Sequence, residues 1–199
     1  MTQAIAKNLP AWLSLSAIGA VVTLTRPSQA NSVDVEALTL RAPTVRAVRA
    51  ADRAANGDDE QRELMLFAGL AEVGLKDLEG LKMADYRRVQ AAYTHLVPKT
   101  DYSDSMPAWL SLTTDQVVVT FSCPSEINGV AVDKLALRSP TVGDVRAANR
   151  EVSGDDEQRE LVLFAALSGA SVADLEGLKL VDFNRLQAGY FRMDNDDGI

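Results

Sequence analysis

The sequence has one cysteine and one histidine in 199 residues, and this scarcity excludes several kinds of site. A single Cys123 cannot form an internal disulfide or a cysteine-based zinc site. A single His95 excludes multi-histidine metal centres and leaves most catalytic triads without a base. Cys123 also lies in a run typical of a strand, Val117–Cys123, which favours a structural thiol. We therefore expect a protein that is not an enzyme.

Positive charge is also scarce. The chain has 20 Lys+Arg against 28 Asp+Glu, a net charge of −8, and residues 98–199 carry the whole imbalance with 9 basic and 17 acidic side chains. Nucleic-acid binding depends on clustered Lys and Arg, so a DNA or RNA partner is not expected. No glycine-rich phosphate-binding motif is present either, and no cofactor is predicted.

A run of 17 residues without charge, Leu9–Thr25, resembles a signal peptide or a membrane anchor. It is shorter than the roughly 20 residues that span a bilayer. Part of it, Pro10–Leu15, recurs as Pro107–Leu112, where Asp115 interrupts the apolar run. We interpret the segment as part of a folded domain without membrane association; a signal or anchor is the alternative.

The chain is an internal duplication. At a constant offset of 97, residues 10–97 align with residues 107–194 without a gap, and 48 of the 88 aligned positions are identical. The longest identical run is Gly57–Leu64, which matches Gly154–Leu161. A period this long indicates two copies of a small domain rather than a solenoid. The predicted boundaries are residues 1–97 for the first repeat, 98–106 for a linker, and 107–199 for the second repeat with an acidic tail.

Each copy begins with the pattern of a β-hairpin. In the second copy, Val117–Ser122 is β-branched and aromatic, as strands favour. Pro124 is expected to end this strand, and Asn128-Gly129 predicts a tight turn into the next one. The first copy has Asn31-Ser32 at the turn, and without glycine we expect a looser connection.

Helical periodicity follows the hairpin in each copy. Capping residues and glycines predict a helix over Val45–Ala55, a second one from an Asp58 N-cap to about Leu70, a short turn over Leu75–Glu79, and a last helix over Met83–Val97. The predicted fold class is α+β, with two similar small domains, each a β-hairpin followed by about three α-helices.

Few residues stand out as candidate sites. The acidic run that starts at Asp58 is explained as a helix cap, and no metal site is predicted. Trp12 and Trp109 occupy the same place in the two copies, and each is either a lid over the core or an anchor for a partner. Arg41 and Arg138 follow the second strand of each hairpin, and each either pairs with nearby carbonyls and acids or contacts a partner. These four residues are the candidate partner-binding residues.

One order of motifs resembles a known family. The hairpin is followed by Leu-Arg-x-Pro-Thr-Val-x-x-Val-Arg, Gly-Asp-Asp-Glu-Gln-x-x-Leu, Leu-x-x-Leu and Asp-[Tyr/Phe]-x-Arg-[Val/Leu]-Gln, over Leu40–Gln90 and again over Leu137–Gln187. This order is similar to that of the phage tail assembly chaperones of contractile-tailed, Mu-like phages. The chain differs from those members by carrying two copies and by adding the leader Pro10–Leu15.

The resemblance implies a non-catalytic role in phage tail assembly. Such chaperones bind the long, helical tape measure protein and keep it soluble until tube subunits polymerise around it. The partner implied is therefore the tape measure protein, with tail tube subunits and a second copy of this chain as further candidates. The implied location is the host bacterial cytoplasm, with the protein absent from the mature virion. The alternative function is a structural or adaptor protein retained in a phage tail or tail-like particle.

Overall fold

The protein is described by a computed structural model over residues 9–99 and 106–194. Contacts divide the chain into two units, Met1–Pro43 with Ala47–Pro98, and Thr44–Arg46 with Lys99–Ile199. Most of the predicted linker and the end of the acidic tail lie outside the described residues.

The two copies contain the same elements in the same order. In the first copy these are β1 (Leu13–Ser16), β2 (Gly19–Ala30), β3 (Val33–Arg41), α1 (Val45–Ala55), α2 (Asp59–Ala71), α3 (Leu75–Glu79) and α4 (Met83–Leu96). In the second they are β4 (Leu110–Leu112), β5 (Gln116–Ile127), β6 (Val130–Arg138), α5 (Val142–Glu151), α6 (Asp156–Ser168), α7 (Val172–Gly177) and α8 (Leu180–Asp194). The α+β class and the two similar halves are confirmed.

Each sheet has three antiparallel strands, one more than the predicted hairpin. The order is β1-β2-β3 in the first copy and β4-β5-β6 in the second. The extra strand comes from the repeated leader: Leu13 lies opposite Val22, and Leu110 lies opposite Val119. The uncharged run Leu9–Thr25 is thus largely strand in the folded domain. Within residues 9–99 and 106–194, no helix is long and apolar enough to cross a bilayer.

The prediction that Pro124 ends its strand is wrong. β5 continues to Ile127, and its pairing with β6 shifts register between Thr120 and Ser125. The partner strand β4 reaches only as far as Val119, so the stretch around Pro124 has a free edge. Proline lacks an N–H and is tolerated at bulges and edges. Pro27 occupies the same position in β2.

The expectation of a looser turn in the first copy is also wrong. Asn31 and Ser32 have φ of 51° and 66°, close to the 52° and 75° of Asn128 and Gly129. Both turns therefore have the two positive φ angles of a type I′ hairpin. A side-chain contact helps to fix this geometry, because the Asn31 Nδ2 donates to the carbonyl of Glu72 at 2.8 Å, and the Asn128 Nδ2 donates to that of Gly169 at 3.0 Å.

The helix caps confirm the predicted helix starts. The Asp58 carboxylate accepts from the N–H of Gln61 at 3.0 Å, and that of Asp155 accepts from the N–H of Gln158 at 2.8 Å. Thr141 and Asp144 form a capping box at the start of α5. These carboxylates satisfy N–H groups that have no partner inside the helix.

The core of each copy lies between one face of the sheet and the helices. The last helix packs on the central strand, and the second helix packs on the third strand. Residues that alternate along the strands point into this core, together with apolar positions of the helices: Val22, Leu40, Phe67, Leu78 and Val89 in the first copy, and Val117, Leu137, Phe164, Leu175 and Leu186 in the second.

Candidate functional site

Within a copy, the candidate tryptophan and the candidate arginine do not share one site. Trp12 and Trp109 precede the first strand, and the carbonyl of each accepts from the N–H of a residue near the middle of the central strand, Thr23 or Thr120. Arg41 lies opposite Gly19, at the other end of the same sheet in the first copy. At about 3.3 Å per strand residue, tryptophan and arginine are about 13 Å apart along the strand.

Both arginines pair with acids of their own copy. Arg41 forms an ion pair with Glu72. Arg138 binds Asp144 through both terminal nitrogens, at 2.8 and 2.6 Å. The hydrogen bonds from Arg138 and from Thr141 hold the pKa of the Asp144 carboxyl well below its usual range. From the sequence, each arginine was expected either to pair with nearby carbonyls and acids or to contact a partner. In the structure each one pairs with a nearby acid.

The two tryptophans are half-buried and covered by an arginine from the last helix. The Arg88 guanidinium carbon lies 5.5 Å from the centre of the Trp12 ring, and Arg185 lies at the same distance from Trp109. This is cation–π geometry. The same guanidinium groups donate to the carbonyls of Thr23, at 2.7 Å, and Thr120, at 3.1 Å.

A buried carboxylate completes this network in each copy. Asp182 is 0% exposed and accepts from the N–H and the hydroxyl of Ser122, at 2.6 and 2.8 Å. Asp85 is 2% exposed and makes the same two bonds to Thr25, at 2.6 and 2.7 Å. A buried carboxylate is tolerated when hydrogen bonds replace its hydration. The network ties the last helix to the irregular part of the central strand, which is a structural role.

Sequence reasoning did not predict this network, although a signal for it was present. The motif Asp-[Tyr/Phe]-x-Arg places an acid and an arginine three residues apart, on one face of a helix, in both copies. The strand residue that binds the acid is 60 positions away in both copies, and the helix pattern alone does not reveal it.

A groove between helices recurs in the two copies. In the first copy it is lined by α1, α2 and α4; the residues are Val48, Arg62, Glu63, Leu66, Phe67 and Tyr93. In the second copy the equivalent residues of α5, α6 and α8 line it, all six identical in type: Val145, Arg159, Glu160, Leu163, Phe164 and Tyr190. The second-copy groove is also lined by Ala148, Asn149, Asp156 and Glu157. We call these the first-copy groove and the second-copy groove.

The floor of each groove is an aromatic pair. The ring centres of Phe67 and Tyr93 lie 5.5 Å apart, and those of Phe164 and Tyr190 lie 5.2 Å apart, both tilted. Burial is the main cause of the raised pKa of both tyrosines. Phe67 and Phe164 are 2% and 0% exposed, whereas the tyrosines are half-buried, so the accessible part of the floor is a tyrosine ring held in place by the buried phenylalanine.

The two grooves differ in volume and in the ion pairs at the rim. The volume is about 130 Å³ in the first copy and about 320 Å³ in the second. In the first copy Arg62 pairs with Asp59 of its own helix at 3.5 Å and also with Asp52 of α1 at 3.3 Å, so an ion pair joins two walls of the groove. Asn149 replaces Asp52 in the second copy, and Arg159 pairs with Asp156 of its own helix at 2.6 Å.

A partly buried glutamate lies at the side of each groove. Glu63 accepts from the Tyr86 hydroxyl at 2.7 Å and from the Gln90 amide at 2.8 Å. Glu160 keeps only the equivalent glutamine, Gln187, at 2.7 Å. Burial raises the pKa of Glu160. The arrangement offers an apolar surface bordered by carboxylates, which suits binding of an apolar segment.

The architecture and the repeated groove point to a small binding domain present twice. The sequence model of the family described as phage tail assembly chaperone proteins, E, or 41 or 14, matches the chain over residues 21–98 and again over residues 118–195. These two matches cover more than half of the chain, which therefore belongs to the phage tail assembly chaperone family. The resemblance seen in the sequence is confirmed. No curated protein and no solved structure matches the chain.

The matched ranges separate the candidate residues into two groups. Trp12 and Trp109 lie before the matched residues, with β1 and β4. Both grooves, together with Arg41 and Arg138, lie inside them. The grooves were missed by sequence reasoning because their residues come from three helices. The only sequence signal was the identity of all six positions between the copies.

Proposed function

We propose that the chain is a non-catalytic tail assembly chaperone that binds the tape measure protein and keeps it soluble while the tail is assembled. The observation that carries this proposal is the double family match, with the lining of one groove identical in both matched ranges. Part of an amphipathic helix can bury its apolar face in such a groove. The net charge of −8 would help to keep a complex dispersed.

Two tethered copies suit a long client. When one copy binds, the second is held near at a high effective concentration, which raises the avidity for a client with repeated sites. The proposed location is the host bacterial cytoplasm, and the protein would leave before the virion is complete. Tail tube subunits are further proposed contacts, because assembly passes the client from chaperone to tube.

Co-expression tests this function directly. The tape measure gene is expressed in bacteria alone, with the full chain, or with an unrelated acidic protein of similar size. The proposal expects soluble tape measure protein, co-purifying with the chain, only in the second case. A tape measure protein that is equally insoluble in all three would overturn it.

Mass spectrometry of purified tails tests the alternative. A chaperone is expected to be depleted from mature particles relative to tube subunits. A constant ratio of the chain to tube subunits through purification would favour a structural or adaptor protein retained in the tail.

A further inference from the structure

The second-copy groove has an open apolar interior and an acidic border, and these features restrict what could fill it. The volume of about 320 Å³ exceeds the 150 Å³ or so that holds a benzene molecule, so one or two large side chains fit. Val145, at its edge, is 37% exposed, and Val142, one turn earlier on α5, is 77% exposed. Apolar surface of this kind on a folded domain commonly marks a contact with a partner.

The charges around this groove favour a cationic partner. Asp156, Glu157 and Glu160 line it, against a single Arg159 that is paired with Asp156. The surroundings add to this field, since residues 98–199 carry 17 acidic and 9 basic side chains. A basic residue of a partner would be attracted to this border, and an acidic one would be repelled.

We propose that the second-copy groove is the main docking site for a client helix, and that this helix carries Lys or Arg one turn away from the apolar side chains that enter the groove. The proposal rests on the proposed function and adds the site and the chemistry of the client. The apolar side chains contact the half-buried Tyr190 ring and the exposed Val145, and the cation lies near the carboxylates. A spacing of three or four residues places both on one side of the helix.

The first-copy groove is the weaker site in this proposal. Its volume is about 130 Å³, and the Asp52–Arg62 ion pair joins two of its walls. A client side chain would have to displace this pair before it could reach the floor. The two copies thus share a lining but differ in how readily it can be reached.

Two synthetic peptides serve as probes, each a helix of about five turns with leucines on one face. One has lysines beside the leucines, and the other has glutamates at the same positions. Binding to the full chain is measured by calorimetry at low salt. We expect the lysine peptide to bind about tenfold more tightly, because the glutamate peptide faces like charges at the border.

Matched variants of the full chain locate the binding. Val145→Lys places a cation at the second-copy groove, and Val48→Lys is the same change in the first. We expect Val145→Lys to weaken the lysine peptide about tenfold or more, and Val48→Lys to weaken it less than about threefold. Asn149→Lys, at an exposed position of the same groove, should repeat the effect of Val145→Lys and guards against a folding defect, which circular dichroism would detect.

Three results with the purified chain would overturn the proposal. The first is a lysine peptide that binds no more tightly than the glutamate peptide. The second is an equal loss from Val145→Lys and Val48→Lys. The third is a particle mass in light scattering that is smaller for Val145→Lys than for the wild type. Such a loss of mass would show that the groove of the wild type holds a second copy of the chain. The co-expression experiment is separate: a tape measure protein kept soluble by both wild type and Val145→Lys would contradict the docking site and leave the chaperone function standing.

Discussion

The two copies line their grooves with the same residue types, but the grooves differ in volume. All six shared lining positions are identical, yet the volumes are about 130 and 320 Å³. The difference coincides with a residue at the rim, Asp52 in one copy and Asn149 in the other. The arginine pairs with an acid of its own helix in both copies, and Asp52 gives it a second partner on α1 in the first copy. Identity of a lining therefore does not establish that two sites are equivalent.

A different comparison concerns the core, where changes compensate each other. Ala92 on α4 corresponds to Gly189 on α8, and Ala20 on β2 corresponds to Val117 on β5. A Cβ at Gly189 would come within 3.0 Å of the Val117 side chain. The copy with the larger strand residue has the smaller helix residue, so these two positions compensate each other at this contact.

The largest expected effect tests what the copies share. Asp182→Ala removes the buried acceptor of the Ser122 N–H and hydroxyl, and it leaves the half-buried Arg185 without its acid. We expect the second copy to lose about 3 kcal/mol of unfolding free energy, the usual cost of breaking a buried charged network. Asp85→Ala should cost the first copy a similar amount, because its network is the same.

Urea unfolding followed by tryptophan fluorescence measures the two copies separately. The chain has two tryptophans, one in each copy, so Trp12→Phe leaves a reporter of the second copy and Trp109→Phe a reporter of the first. Asp156→Ala, at an exposed carboxylate, is the control and should cost well under 1 kcal/mol. A large loss in only one copy would contradict the shared role of the network.

The next effect tests the compensation in the core. Gly189→Ala gains helix propensity but crowds Leu110 and Val117, and overpacking a core costs about 1–3 kcal/mol. Adding Val117→Ala rebuilds the pair found in the first copy. We therefore expect the double variant to be more stable than the sum of the two single changes predicts, with a coupling of about 1 kcal/mol in the same urea assay. Additive effects would show that the two positions do not compensate.

A third test concerns the helix caps, which are equal in the two copies. Asp155→Ala and Asp58→Ala should each cost about 1 kcal/mol, since each removes one N-cap hydrogen bond. Peptide binding at low temperature should stay unchanged. Weaker binding at unchanged stability would instead identify the acidic turn as a contact surface.

The sequence predicted the helices well because their signals are local. Caps and glycines lie within a few residues of each end, and the predicted bounds of the first helix, Val45–Ala55, agree with the structure. The strands β1 and β4 were missed because they have only four and three residues and depend on pairing. The predicted end of β5 at Pro124 was wrong for a related reason, because whether proline ends a strand depends on the neighbouring strand. The grooves join three helices, so no local pattern could reveal them.

The hairpin turns provide a smaller test of the comparison. Ser32 has φ of 66°, in the left-handed region where side chains are strained, and Gly129 holds the same place in the second copy. Ser32→Gly should stabilise the first copy by about 0.5 kcal/mol, because relief of strain exceeds the entropy that glycine adds to the unfolded chain. Gly129→Ser should destabilise the second copy by a similar amount. Urea unfolding measures both, and a destabilising Ser32→Gly would contradict the shared turn geometry.

The smallest expected change in stability carries the most information on function. Asp52→Asn gives the first copy the rim residue of the second and removes the ion pair between α1 and α2. The pair is partly exposed, so its loss should cost about 0.5 kcal/mol or less. The lysine peptide should gain binding at the first-copy groove, seen as a rise in affinity of the Asp52→Asn, Val145→Lys double variant over Val145→Lys alone. Equal affinities of the double variant and of Val145→Lys would show that the ion pair does not limit access to the first-copy groove.

Salt separates the two parts of the proposed contact. At about 0.5 M salt the preference for the lysine peptide over the glutamate peptide should shrink while binding persists, because screening acts on the border charges and not on the apolar floor.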